Sequence, residues 1–385
     1  MNINNFLFKL INDDYYLKKI NDQINDIIKY IENGYDISSI KKRVKYKNME
    51  ILYDIARSRI RIKNKFSAYD KIFMDNYSAR YSTPEIVGIY RSLRLKGNSI
   101  IDIGSGAGMQ SIFFGMNSHV VGIEKDKMRY IFSILNKRLY DSDVEFINSD
   151  FFNYRVEIDD AIIFSDPLRP ERAKERKMED LIPSPENILA HLESIKGYAF
   201  DIPPQMQWKN IKLLGEKEYI SINGRINRLT IYSESISRNI TKAVMLPENK
   251  FITGTSKKFY APIEKYHNER YIYWADISLI YSGLVNMVIV PSFRHVYNDG
   301  KRIIFSSDTF IPDFFGRKFR VLEISEMGNL IDMLRKANAG HIYLAYSIET
   351  SEYYRMKNYI EQKLSGNLNI YIFKNMDALI LTREC

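Results

Sequence analysis

Between Ile100 and Gly108 the chain reads Ile-Ile-Asp-Ile-Gly-Ser-Gly-Ala-Gly, an acid (Asp102) closing an apolar run and then three glycines (Gly104, Gly106, Gly108) in five positions. Glycines allow a tight turn and close approach of backbone to a ligand, and the helix that follows starts with unpaired N–H donors, so the chemistry indicated is nucleotide binding. An ordinary strand-to-helix turn needs fewer glycines. A dinucleotide fingerprint is spaced G-x-G-x-x-G; here Gly108 comes one residue early and Met109 fills the slot, which argues against nicotinamide and flavin cofactors.

Three more acids follow at regular places. The run His119–Ile123 leads into Glu124, twenty residues after Gly104, where a carboxylate can accept both ribose hydroxyl hydrogen bonds of an adenosyl group. Phe146-Ile147-Asn148-Ser149 leads into Asp150, placed to accept from an adenine amino group, with Phe151 beside the ring. Ala161–Ser165 leads into Asp166-Pro167-Leu168-Arg169. Each acid taken singly reads equally well as a solvated strand end or a turn cap. In series they make a site, because ligands of open α/β sheets bind at the carboxyl ends of the strands. Asp166 and Arg169 should then face the reacting group.

The elements needed to hold these residues are legible. Strands are expected at Ser99–Ile103, His119–Ile123, Val144–Asn148 and Asp160–Phe164, with helices after Gly108 and from Asp126 to Leu139, an alternation that signals βαβ units. GYAFDI adds a strand, and KEYISI and NRLTIY flank an Asn223-Gly224 hairpin turn. Upstream, apolar residues at helical spacing (Ile20, Ile24, Ile27, Ile31, Leu52, Ile55) read as a helical region from Asn5 to about Lys65, with Gly34 ending a helix, and a linker plus one helix spans about 68–97. The last seventy residues read as a βαβαββ module of its own. The domains expected are 1–67, 68–247 and 248–385.

Net charge is +9, and ten basic residues stand against two acidic ones between Lys41 and Lys65. A polyanion such as RNA is one partner for that stripe, through Lys41, Lys42, Arg43, Arg57, Arg59 and Arg61; a solvated helix face is the other reading. The single cysteine is Cys385 and the five histidines are scattered, so disulfides and a metal site are not expected. No stretch has the length of a membrane span or a signal peptide, giving the expectation of a cytoplasmic protein with no membrane partner.

Asp102–Gly108, Glu124, Asp150 and Asp166-Pro167 together resemble the class I S-adenosylmethionine-dependent methyltransferases. The resemblance implies a Rossmann-like sheet, Gly104, Gly106 and Gly108 at the methionine side of the cofactor, Glu124 on its ribose and Asp150 on its adenine. Methylases of exocyclic amines carry Asn/Asp-Pro-Pro-aromatic where this chain has Asp166-Pro167-Leu168-Arg169, a departure that favours a ring nitrogen, guanine N7 in the first place. Asp201-Ile202-Pro203-Pro204-Gln205 is read as pocket wall.

Tyr81-Ser82-Thr83-Pro84-Glu85, Gly224-Arg225, Leu246-Pro247, Thr253-Gly254 and the terminal module make nearly the whole chain similar to prokaryotic methyltransferases with a THUMP-like C-terminal domain. That implies a tRNA substrate; the Ser82-Thr83-Pro84-Glu85 element also resembles the substrate and cofactor lid of trimethylguanosine synthases, which implies that Tyr81 and Thr83 lie over cofactor and base. The expected function is methylation of an RNA nucleobase with Asp166, Pro167 and Arg169 at the reaction centre. The alternatives are a methyltransferase of small molecules or proteins, and a non-catalytic RNA-binding partner subunit.

Overall fold

The computed structural model describes residues 3–154, 160–169, 177–237 and 239–385. The chain divides into two compact units, Met1–Gly215 with Thr230–Arg238 and Glu216–Leu229 with Asn239–Cys385.

The first unit opens with six helices: α1 (Ile3–Asn12), α2 (Asp14–Glu32), α3 (Ile37–Arg43), α4 (Met49–Ile62), α5 (Asn76–Tyr81) and α6 (Glu85–Arg94). Asp13 starts α2 by accepting from Tyr16 N–H, and the helix ends ahead of Gly34 at φ +82°. Ile20, Ile24 and Ile27 are buried along one stripe of it. The 68–97 stretch holds two helices, not the one expected. α5 is too short to register as periodicity, and Pro84 separates it from α6.

Strands and helices then alternate: β1 (Ser99–Ile103), α7 (Met109–Gly115), β2 (His119–Ile123), α8 (Lys127–Lys137), β3 (Val144–Ile147), β4 (Ile162–Ser165), α9 (Pro185–Ala190) and β5 (Gly197–Ile202). The strands are all parallel, in the order β3-β2-β1-β4-β5. The N-terminal helices do not keep a core to themselves. Phe6, Ile24, Leu52 and Ile62 belong to one apolar cluster with Phe113, Phe132 and Phe164, so the helices and the sheet share an interior. Each ring buried there contributes roughly 2–3 kcal/mol.

The second unit contains β6 (Glu216–Ile222), the start of β7 (Arg225–Tyr232), β8 (Thr241–Leu246) and β9 (Lys250–Gly254), β8 running parallel to β6 and antiparallel to β9. The expected hairpin turn is present: Asn223 and Gly224 have φ of 49° and 70°, the left-handed pair that a two-residue turn requires. A second sheet follows from β10 (Tyr271–Ala275), β11 (Arg294–Asn298), β12 (Ile303–Ser307), β13 (Gly316–Ser325), β14 (Ala339–Leu344), β15 (Leu368–Asn375) and β16 (Ala378–Glu384), in the order β11-β12-β10-β13-β16-β15-β14. Its helices are α10 (Ile277–Ser282), α11 (Leu330–Lys336) and α12 (Thr350–Glu361). The βαβαββ pattern of the last seventy residues is there, but not as a separate module. β10 pairs antiparallel with the free edge of β13, so seven strands form one sheet.

Candidate active site

The turn after β1 is built by its glycines. Gly104 and Gly106 sit at φ +74° and +58°, conformations costly for any residue with a side chain, and a Cβ on either would meet open space, because both face a cavity. Gly108 does something else. A Cβ there would fall 2.5 Å from Ser133 Cβ and 2.7 Å from Phe146 Cζ, so this glycine lets α7 start against α8 and β3 and does not line the cavity. Its expected role at the cofactor is thus corrected to one of packing. Asn136, buried in α8, fixes the turn by donating to Ala107 O at 2.9 Å and by exchanging hydrogen bonds with the backbone of Phe73.

Around that turn lies a cavity of about 280 Å³ within the first unit. Asp102, Glu124, Asp150 and Asp166 all reach it from the ends of β1, β2, β3 and β4. Glu124 is buried. Its Oε2 accepts from Gly106 N–H at 2.8 Å and its Oε1 from Asp126 N–H at 2.8 Å. Asp102 is more deeply enclosed, its Oδ2 accepting from Ser111 Oγ–H. Desolvation drives its pKa up to about 7, with the charges of Asp166, Glu124 and Asp201 adding and the Ser111 hydrogen bond opposing. Asp150 caps a short turn by accepting from Phe152 N–H at 3.1 Å, and Phe151 is buried edge-on to Phe152 and His191.

Asp166 and Pro167 line the cavity, whereas Arg169 does not; its guanidinium lies 3.4 Å from Asp166 Oδ1. Leu168 is pinned by a two-way backbone bridge to Ile182, and both side chains are exposed, at 46% and 61%. The Asp201–Gln205 segment is not pocket wall. Asp201 is fully buried and pairs with Arg91, whose guanidinium also donates to Thr230 Oγ1 at 2.6 Å and lies over the Phe164 ring.

The Tyr81–Glu85 element is tied down from below. Lys65 Nζ donates to the carbonyls of Ala79, Arg80 and Ser82 at 2.9, 3.1 and 3.1 Å, and Glu85 accepts from the Ser67 backbone and hydroxyl. This brings Tyr81 and the buried Thr83 to the cavity. Sequence reasoning missed Tyr77, one helical turn before Tyr81 and 4.9 Å from it ring to ring; the i, i+4 spacing was the available signal. It also missed Phe152, Gln110 and Arg129, which line the cavity as well. Arg129 donates to Asp75 Oδ2 at 2.8 Å and lies over Tyr77.

The basic stripe divides. Lys41, Lys42, Arg43, Arg57 and Arg61 are exposed, Lys41 pairing with Glu50, Arg43 lying over Tyr35 and Arg61 donating to Asn76. Arg59 is fully buried and cannot touch a polyanion. It donates to Ile72 O at 3.1 Å and Asn21 Oδ1 at 2.6 Å, and burial pulls its pKa down to about 10. The alternation of basic residues along α4 hid that one of them points inward. Among the described residues no cluster of His, Cys, Asp and Glu could hold a metal, and no helix is long and apolar enough to cross a membrane.

No protein-family model and no curated protein matches the chain. Among solved structures, a candidate methyltransferase from Porphyromonas gingivalis W83 aligns over 94% of this chain and 98% of its own, with TM-score 0.68 and 16% identity. A 16S rRNA N2 methyltransferase from T. thermophilus, solved with AdoMet and guanosine, covers 41% of this chain and 45% of its own at TM-score 0.31 and 14% identity. A candidate RNA methyltransferase from Pyrococcus horikoshii covers 40% and 85% at TM-score 0.28 and 18% identity. The fold is α/β, with the Rossmann-like parallel sheet of the class I methyltransferases.

Proposed function

We propose that the protein is an S-adenosylmethionine-dependent methyltransferase acting on an RNA nucleobase, tRNA in the first place, with a guanine ring nitrogen, N7, as acceptor. The observation that carries the reading is the convergence on one cavity of a glycine turn and four carboxylates from the ends of β1, β2, β3 and β4. An adenosyl sulfonium suits such a site. It is cationic, and its ribose and adenine amino group need acceptors.

The residues fit this cofactor on a second count. Ser105 Oγ and Gln110 Nε2 are buried at the cavity and have no partner among the described residues, so polar groups stand ready for a ligand. Glu124 would hold the ribose, Asp150 with Phe151 the adenine, and the Gly104–Gly106 turn the methionine side. When bound, the cofactor supplies an electrophilic methyl group on a sulfonium.

The chain's own work is orientation. Tyr77, Tyr81, Phe152, Leu168 and Ile182 give the cavity an exposed, largely apolar rim suited to stacking a planar base. Guanine N7 carries no proton to remove, and the ring becomes positive on methylation, a charge that the Asp166 carboxylate stabilises electrostatically. Arg169, beside Asp166, holds that carboxylate in place. The exposed part of the basic stripe (Lys41, Lys42, Arg43, Arg57, Arg61) would contact RNA phosphates, and a THUMP-like role for the C-terminal sheet belongs to the same reading.

The test is incubation of the full chain with methyl-labelled S-adenosylmethionine and unmodified tRNA transcripts, followed by nucleoside mass spectrometry. Labelled 7-methylguanosine is the expected product. Label on another guanine atom would remove the N7 assignment, and cofactor binding without label in any RNA would remove the RNA substrate.

A further inference from the structure

Gln110 stands in the first turn of α7, is 8% exposed and lines the cavity. Its Oε1 lies 3.3 Å from Arg91 Nη1. A guanidinium has donors only, so the amide has one permitted sense: the oxygen faces Arg91 and the nitrogen is the other end. Arg91 has no freedom to relax this, because it is fully buried, paired with Asp201 and bonded to Thr230 Oγ1. The result is a fixed donor, Gln110 Nε2, with no partner among the described residues.

Resting on the cofactor reading above, we propose that Gln110 Nε2 binds the carboxylate of the cofactor's amino-acid tail, and that the Arg91–Asp201 pair sets the amide in that sense. The tail carries an ammonium and a carboxylate together. The acids Asp102 and Asp166 complement the ammonium but can only repel the carboxylate once ionised. The cations of the cavity, Lys125 and Arg129, come after β2, on the ribose side, and Arg129 is engaged by Asp75. Beside the β1 turn, Gln110 Nε2 and Ser105 Oγ are the buried side-chain donors with no partner among the described residues. A neutral amide there satisfies the carboxylate without cancelling the field that favours the sulfonium. Gln110 then separates ligands with the tail from ligands without it.

The test compares S-adenosylhomocysteine, which keeps the tail, with 5′-methylthioadenosine, which lacks it, by calorimetry on the full chain. The variants are the near-isosteric Gln110→Met and the charged Gln110→Glu, each checked by thermal melting. Gln110→Met is expected to weaken S-adenosylhomocysteine about tenfold, the loss of one hydrogen bond to a charged group, and to leave 5′-methylthioadenosine unchanged. Gln110→Glu should weaken the first ligand further and spare the second. Equal weakening of both ligands, or none of either, overturns the assignment. Wild-type protein that binds neither ligand removes the cofactor reading itself, and this inference with it.

Discussion

The Gly106 N–H donates to Glu124 Oε2 at 2.8 Å, joining the turn after β1 to the end of β2. The same carboxylate holds Asp126 N–H, so one side chain fixes the glycine turn and the start of α8 together. Glu124→Ala is therefore expected to lose about 1–3 kcal/mol of stability from the two part-buried N–H groups whose acceptor it removes, and roughly a hundredfold in S-adenosylhomocysteine affinity. Glu124→Gln keeps one acceptor and should lose less of both. Thermal melts and calorimetry check this; a Gln variant as impaired as the Ala variant would contradict it.

Asp102 gives the protein a pH signature. A pKa near 7 in the folded state, against an ordinary 3.8, means that the native chain holds this proton more tightly than the unfolded one. The contribution to stability is thus fully present below about pH 4, falls as pH rises, and levels off above 7, a total of about 4 kcal/mol. Asp102→Asn should remove that slope and be more stable than wild type at pH 8 in urea unfolding, with little difference at pH 4. Parallel slopes for the two proteins would rule the account out.

Arg91 and Asp201 are both fully enclosed. Arg91→Met leaves the carboxylate without its counter-charge and is expected to cost about 3–5 kcal/mol, while Arg91→Met with Asp201→Asn recovers much of it. Denaturant unfolding of the single and double variants measures the coupling, and additive losses would deny it.

Lys41, Lys42, Arg57 and Arg61 differ from Arg59 in kind. Changing any one of these exposed residues, or the equally exposed Arg43, to Ala should weaken RNA binding in a salt-dependent way, reducing the slope of log K against log salt by about 0.7–0.9 for each phosphate left unneutralised. Arg59→Ala should leave that slope alone and lower the melting temperature, since it removes the bonds to Ile72 O and Asn21 from the interior. Filter binding across a salt series with parallel melts distinguishes the two groups.

The amino-acid sequence alone determined β1, β2 and β4, which carry or lead into Asp102, Glu124 and Asp166, because a strand buried on both faces reads as an apolar run and the acid at its end is conspicuous; β3, half exposed and interrupted by Glu145, was legible only from its place in the alternation. It determined the glycine turn and the Asn223-Gly224 hairpin too, since left-handed backbone restricts residue type locally. What it did not contain is any relation among residues far apart in the chain. That Arg59 points inward, that Asp201 answers Arg91 across 110 residues, that Gly108 spaces helices while Gly104 and Gly106 face the cavity, and that β10 extends the sheet of the C-terminal strands were decided by packing alone. The physical reason is that charge type and local periodicity are written residue by residue, whereas burial and partnership exist only once the chain has brought its distant segments together.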